Sequence, residues 1–167
     1  MRTHRYLVLA LLAVGVGPFG CIAADRGAAA ALECHRTQEC PTFAEVYRAT
    51  PPLRHAMANA FRHEQIAPPS WIADGSGKPM VPAMVDDRPF LVGRITEPQN
   101  DQHQVAVLYD TDKGIVTVRY TDPQGKVSFL GEPTSQQEKI VEDDFGPSSA
   151  LWKSLDEGNT ALPLKWN

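Results

Sequence analysis

Enzyme signatures are missing from this chain. Its 167 residues hold no Gly-x-Ser-x-Gly elbow, no phosphate-binding glycine loop and no His-Glu-x-x-His pair. Acidic side chains do occur in runs, as in Asp86-Asp87 and Glu142-Asp143-Asp144. Acid–base work needs such groups in a desolvated cleft, whereas charge runs at turns are solvated. The expectation is a binding protein and not an enzyme, with no cofactor. Positive charge is also short: 16 Lys and Arg stand against 20 Asp and Glu, a formal net charge of −4. That balance argues against a nucleic-acid partner and favours basic ones. Long apolar runs are absent beyond Tyr6–Val16, which is too short for a comfortable membrane span. No internal repeat appears.

Cysteine is scarce, with three in all. Cys21 lies in an N-terminal segment that reads as an export signal, 1–23, with Arg2, His4 and Arg5 as its basic start. Two endings stay open. Cleavage after Ala23 gives a soluble periplasmic protein. Acylation of Cys21 in the run Pro18-Phe19-Gly20-Cys21 gives a lipid-anchored outer-membrane protein. Either removes Arg2 and Arg5 and takes the net charge from −4 to −6. Either leaves Cys34 and Cys40 as an even pair, expected to be oxidised outside the cytoplasm. A metal site is the rival use of these thiols with His35, but the spacing matches no common zinc pattern. His55 and His63 lie eight residues apart on a predicted helix, where a metal pair would want four, so they read as surface residues. No metal is expected.

Roughly 145 residues then remain, enough for one domain with its own core. Residues 24–41, with the simple run Gly27-Ala28-Ala29-Ala30-Ala31, read as a tether carrying the disulfide, and 42–167 as the folded unit. A short helix is expected over 42–49. A firmer one follows, with Thr50 as N-cap, Pro51 at the first position and an apolar stripe of Leu53, Met57, Ala60 and Phe61. Pro68-Pro69 ends it, and Trp71 is expected to plug one end of a sheet.

From 79 onward, short β-branched and aromatic runs alternate with turn residues at intervals of about ten residues. They predict strands at 79–85, 90–95, 103–110, 115–121 and 126–130, the first an edge strand because of Pro79 and Pro82. Leu151, Trp152 and Leu155 predict a helix over 148–155, while 134–144 reads equally as helix or loop. The fold class is α+β: a central antiparallel meander of about five strands with helices packed against it. One loop of this meander stands out. Thr96, Glu97, Pro98, Gln99, Asn100 and Asp101 are polar except for the proline, and a loop on a rigid sheet is where binding residues concentrate.

The order of these elements resembles the family of the inhibitor of vertebrate lysozyme. The resemblance runs from about Phe43 to about Lys139 and is carried by Pro69-Ser70-Trp71-Ile72, by Gln104-Val105-Ala106-Val107-Leu108-Tyr109 and by Thr134-Ser135-Gln136. It implies the α+β fold just described and an envelope protein that plugs the cleft of a lysozyme-like glycan hydrolase. In that family the loop reads Cys-Lys-Pro-His-Asp-Cys, and its His engages the catalytic carboxylates. Here the loop has neither cysteine nor His; a shift of one position puts Gln99 in the place of the His, as a neutral donor. The target implied is a host lysozyme, the cell's own lytic transglycosylase or a rival's hydrolase. A homodimer also fits the resemblance. The alternative is an envelope structural or adaptor protein that inhibits nothing.

Overall fold

The computed structural model describes residues 27–145, 149–158 and 160–166. The export segment, with Cys21 and both of its endings, lies outside the described residues.

The expected meander forms. Strands β2 (Val81–Val85), β3 (Arg88–Glu97), β4 (Asn100–Asp110), β5 (Ile115–Thr121) and β6 (Val127–Leu130) pair antiparallel in succession. Two short strands bring the sheet to seven: β1 (Ser76–Gly77) beside the end of β3, and β7 (Leu164–Trp166) parallel to β2. The sheet is therefore mixed, in the order β6-β5-β4-β3-β2-β7. This corrects the placing of the 79–85 strand at an edge. β2 has a neighbour on both sides, and the pairing with β7 begins at Ala83, one residue past Pro82, so the missing N–H falls outside that ladder.

Both faces of the sheet are covered, which is why its strands read as near-continuous apolar runs. On one face Leu91, Ile95, Val105, Val107, Val116 and Val118 are buried with Phe43, Leu53, Met57 and Phe61 of helices α2 (Phe43–Ala49) and α3 (Pro51–His63). On the other, Phe90, Val92, Ala106 and Leu108 meet Ile140 and Val141 of α4 (Ser135–Asp143), Phe145, and Trp152 and Leu155 of α5 (Ala150–Asp156). Each fully buried Leu, Phe or Val contributes about 1.5–3 kcal/mol by removal from water.

Local signals explain the helix starts. Thr42 and Glu45 form a reciprocal capping box on α2, and Thr134 and Gln137 form another on α4, which settles 134–144 as helix. Thr50 stands at the N-cap position of α3, but its hydroxyl does not cap that helix. It accepts from the Ala28 N–H at 2.9 Å. Ala28 opens helix α1 (Ala28–Glu33), and Ala31 is fully buried in the first core. The stretch expected to be a tether is thus part of the folded unit, because alanine has the highest helix propensity and fits closely against a sheet. Cys34 and Cys40 are joined in a disulfide with Cα atoms 5.2 Å apart, and belong to the second core cluster. His55 and His63 are exposed, as expected.

Candidate functional site: the β3–β4 hairpin end

The longest hairpin of the sheet ends in the predicted loop. Glu97 pairs with Asn100, leaving Pro98 and Gln99 as a two-residue turn. Proline fixes its own φ at the first turn position, and Gln99 takes φ +67°, as a type II turn requires. The ladder then slips. Thr96 pairs with Gln104 but Glu97 pairs with Asn100, so Asp101, Gln102 and His103 on β4 have no counterpart on β3. Such a bulge re-aims side chains at the end of a sheet. It leaves Asp101 and Gln102 exposed and turns His103 inward, 7% exposed.

His103 clasps the two sides of the turn. Its Nδ1 lies 2.9 Å from a Glu97 carboxylate oxygen, and its Nε2 lies 3.1 Å from the Tyr120 hydroxyl on β5. A carboxylate only accepts, so Nδ1 carries the proton; with the ring neutral, the Tyr120 hydroxyl donates to Nε2. The Asn100 amide also donates to Glu97, at 3.2 Å. The hydrogen bond from His103 is the main reason that Glu97 is held below the ordinary glutamate pKa, partly opposed by desolvation and helped by Asn100. Burial chiefly, then the charges of Asp122 and Glu97, push the Tyr120 phenol above its usual pKa, so it stays protonated.

Rings buttress this clasp. Trp71, in a 3-10 turn over Ser70–Ala73, meets His103 edge to face at 4.9 Å between centroids. His103 is 5.7 Å from Tyr120, and Tyr120 is 5.3 Å from Phe61 in α3. Trp71 thus sits at the sheet end as expected, and its contact there is an imidazole.

The six predicted loop residues are brought together at this one end. Pro98, Gln99 and Asp101 are exposed; Thr96, Glu97 and Asn100 are half-buried. One oxygen of the Glu97 carboxylate, Oε2, meets both His103 and Asn100, and the side chain stays a third exposed. The disulfide of Cys34 and Cys40 is part of the other core cluster and not of this site. Sequence reasoning missed His103 and Tyr120. The signal was available: Val105 pairs with Tyr120, so a His two positions earlier on the same face falls diagonal to that tyrosine. Among the described residues, no group of three or more His, Cys, Asp or Glu side chains could hold a metal ion, and no helix is long and apolar enough to cross a membrane.

A pre-set turn presents one proline and one amide side chain, and the neighbouring acid is tied back. No protein-family model matches the chain, and no curated protein matches it.

Proposed function

We propose that the protein is an envelope binding protein whose Pro98–Gln99 tip enters the cleft of a lysozyme-type or lytic-transglycosylase-type glycan hydrolase and blocks it. The observation that carries this reading is an exposed two-residue tip on a hairpin closed by a buried clasp. A tip that is already ordered pays little conformational entropy on binding. The family it resembles closes its loop with a disulfide; here Glu97, His103 and Tyr120 take over that stiffening. The His103 contact also holds Glu97 against its own hairpin, and leaves the Gln99 amide to donate to the acids of a hydrolase cleft.

The compartment follows from the N-terminal segment: export to the periplasm, with or without a lipid anchor on Cys21. The test is an activity panel of purified protein against c-type lysozymes, g-type lysozymes and lytic transglycosylases. Inhibition of one class is expected, weakened tenfold or more by Gln99→Gly. Glycine accepts the positive φ without strain, so that variant deletes the amide and keeps the turn. Inhibition that persists unchanged in Gln99→Gly and Pro98→Gly excludes tip insertion. Absence of inhibition across the panel, with only scaffold components recovered from envelope extract, favours the adaptor alternative.

A further inference from the structure

Arg94, Ala106 and Arg119 stand side by side in register on β3, β4 and β5, on the face that carries α4 and α5. At ordinary strand spacing the two arginine Cα atoms are roughly 10 Å apart. Only a methyl group lies between them, so two long side chains can reach over one spot. The next residue in the row, on β6, is half-buried Phe129.

Among the described residues neither arginine has an ion-pair partner. The Arg94 guanidinium lies over the Trp152 ring, 4.7 Å from its centroid, and Arg119 donates from Nη1 to the Thr121 hydroxyl at 2.9 Å. Among the described residues the Nε–H of each is shut away from solvent and meets no acceptor; the same is true of the Trp152 indole N–H. Three sheltered donors without an acceptor on one face destabilise the fold until an acceptor arrives. Ordinary surface arginines pair or point to water, so this row is unusual on structural grounds alone.

The surroundings narrow the choice of acceptor. Asp101 and Asp156 lie within electrostatic reach of Arg94, and Glu142 within reach of Arg119. Asp156 is already engaged by Lys78 at 3.2 Å. These acids offset part of the cationic field, so a single negative charge fits better than a phosphate dianion. Arg119 lines a groove of about 430 Å³ with Asp101, Gln104, Thr121, Gly125 and Val127, so one carboxylate of the protein already stands at its wall. Val127 is 37% exposed, an apolar wall open to a ligand.

We propose that this groove binds a carboxylate carried on an apolar body, its oxygens held by the guanidinium group of Arg119 and its aliphatic part resting on Val127, with Arg94 two strands away adding to the cationic field. Planar guanidinium groups match a carboxylate by paired N–H donors. The site lies on the sheet face, so it stands whether or not the hairpin tip enters a hydrolase. The carboxylate comes either from a chain terminus or from an acidic side chain within a peptide, and the test separates these sources.

The measurement is NMR of the arginine Nε–H resonances in the purified protein, with calorimetry alongside. The probes are N-acetylleucine, whose carboxylate is terminal, and acetyl-Leu-Glu-Leu-amide, whose only carboxylate is a side chain. N-acetylleucinamide and inorganic phosphate are the controls. The expected result is that one or both carboxylates move the Arg119 Nε–H signal, and whichever binds tighter names the source. Arg119→Lys should weaken that binding tenfold or more. Arg119→Met should abolish it while the melting temperature holds or rises, since a desolvated charge without a partner has been removed. Should Arg119→Met fail to fold, Arg119→Lys and the Arg119 Nε–H signal carry the test. The proposal is overturned if neither carboxylate moves that signal at tens of millimolar. It is equally overturned if the amide binds as well as the acid, if phosphate binds more tightly, or if binding survives in Arg119→Lys undiminished.

Discussion

Glu97 and His103 lie on opposite sides of the Pro98–Gln99 turn, and their side chains meet at 2.9 Å, closing it from beneath. The carboxylate is a third exposed, whereas the imidazole is almost wholly buried. The weight of the contact therefore rests on His103, which has a second partner in Tyr120 and a ring neighbour in Trp71. His103→Ala leaves the Tyr120 hydroxyl without its partner and opens a void. The expected loss is about 2–3 kcal/mol in urea denaturation, with faster amide exchange across residues 97–103. His103→Ala with unchanged stability would mean that the clasp does not hold the hairpin end.

The same contact sets a pH dependence. Glu97 is held below the ordinary glutamate pKa, first by the His103 hydrogen bond and then by Asn100. A carboxylate whose folded pKa is depressed adds stability that is present above its unfolded pKa and lost as pH falls through the folded one. The stability difference between wild type and Glu97→Gln should be measurable at about pH 6 and shrink as pH falls below the ordinary glutamate range. A difference that stays constant over that range would exclude the assigned carboxylate.

Gly93 on β3 faces the first core, and a Cβ there would come within 2.7 Å of Phe43 Cδ2 and 3.1 Å of Met80 Cγ. Gly93→Ala should cost about 1–3 kcal/mol by overpacking. Phe43→Leu in that background should recover part of the loss, because the tightest contact is to the ring. Equal effects of Gly93→Ala with and without Phe43→Leu would show that the clash is relieved elsewhere.

Replacing Cys34 and Cys40 together by Ser opens a loop that joins α1 to the rest of the unit. The chain-entropy cost is roughly 2 kcal/mol. Because Ala31 is buried and Ala28 is held by Thr50, α1 should loosen without leaving the core. Hydrogen exchange should quicken in residues 28–33 more than in β3 or β4. Uniform quickening over the sheet would contradict this.

Much of the architecture is visible in local patterns. The α3 stripe of Leu53, Met57, Ala60 and Phe61 is buried as its spacing demands, and the five meander strands fall between turn residues. β7 was not legible: Leu164–Trp166 is three residues long, and its parallel partner lies about eighty positions earlier. Helix α1 was read as low-complexity chain because alanine signals a helix by propensity but shows no apolar stripe. At the site, the loop residues are legible as polar residues between strands. His103 is legible only through its place diagonal to Tyr120 on β5, while the slip of the ladder after Thr96 hides its return to Glu97. Arg94 and Arg119 look like ordinary outward residues until the second helical layer is seen to cover their face.

Phe61, Tyr120, His103 and Trp71 run in one line of ring contacts from the last turn of α3 to the hairpin end. A force applied at Pro98 is therefore borne by the helical layer as well as by two strands. The seating of that helix and the order of the tip are thus joined by three ring contacts. On the proposed reading, substitutions in α3 that never approach the hydrolase should still change how long it stays bound, as dissociation rates would record.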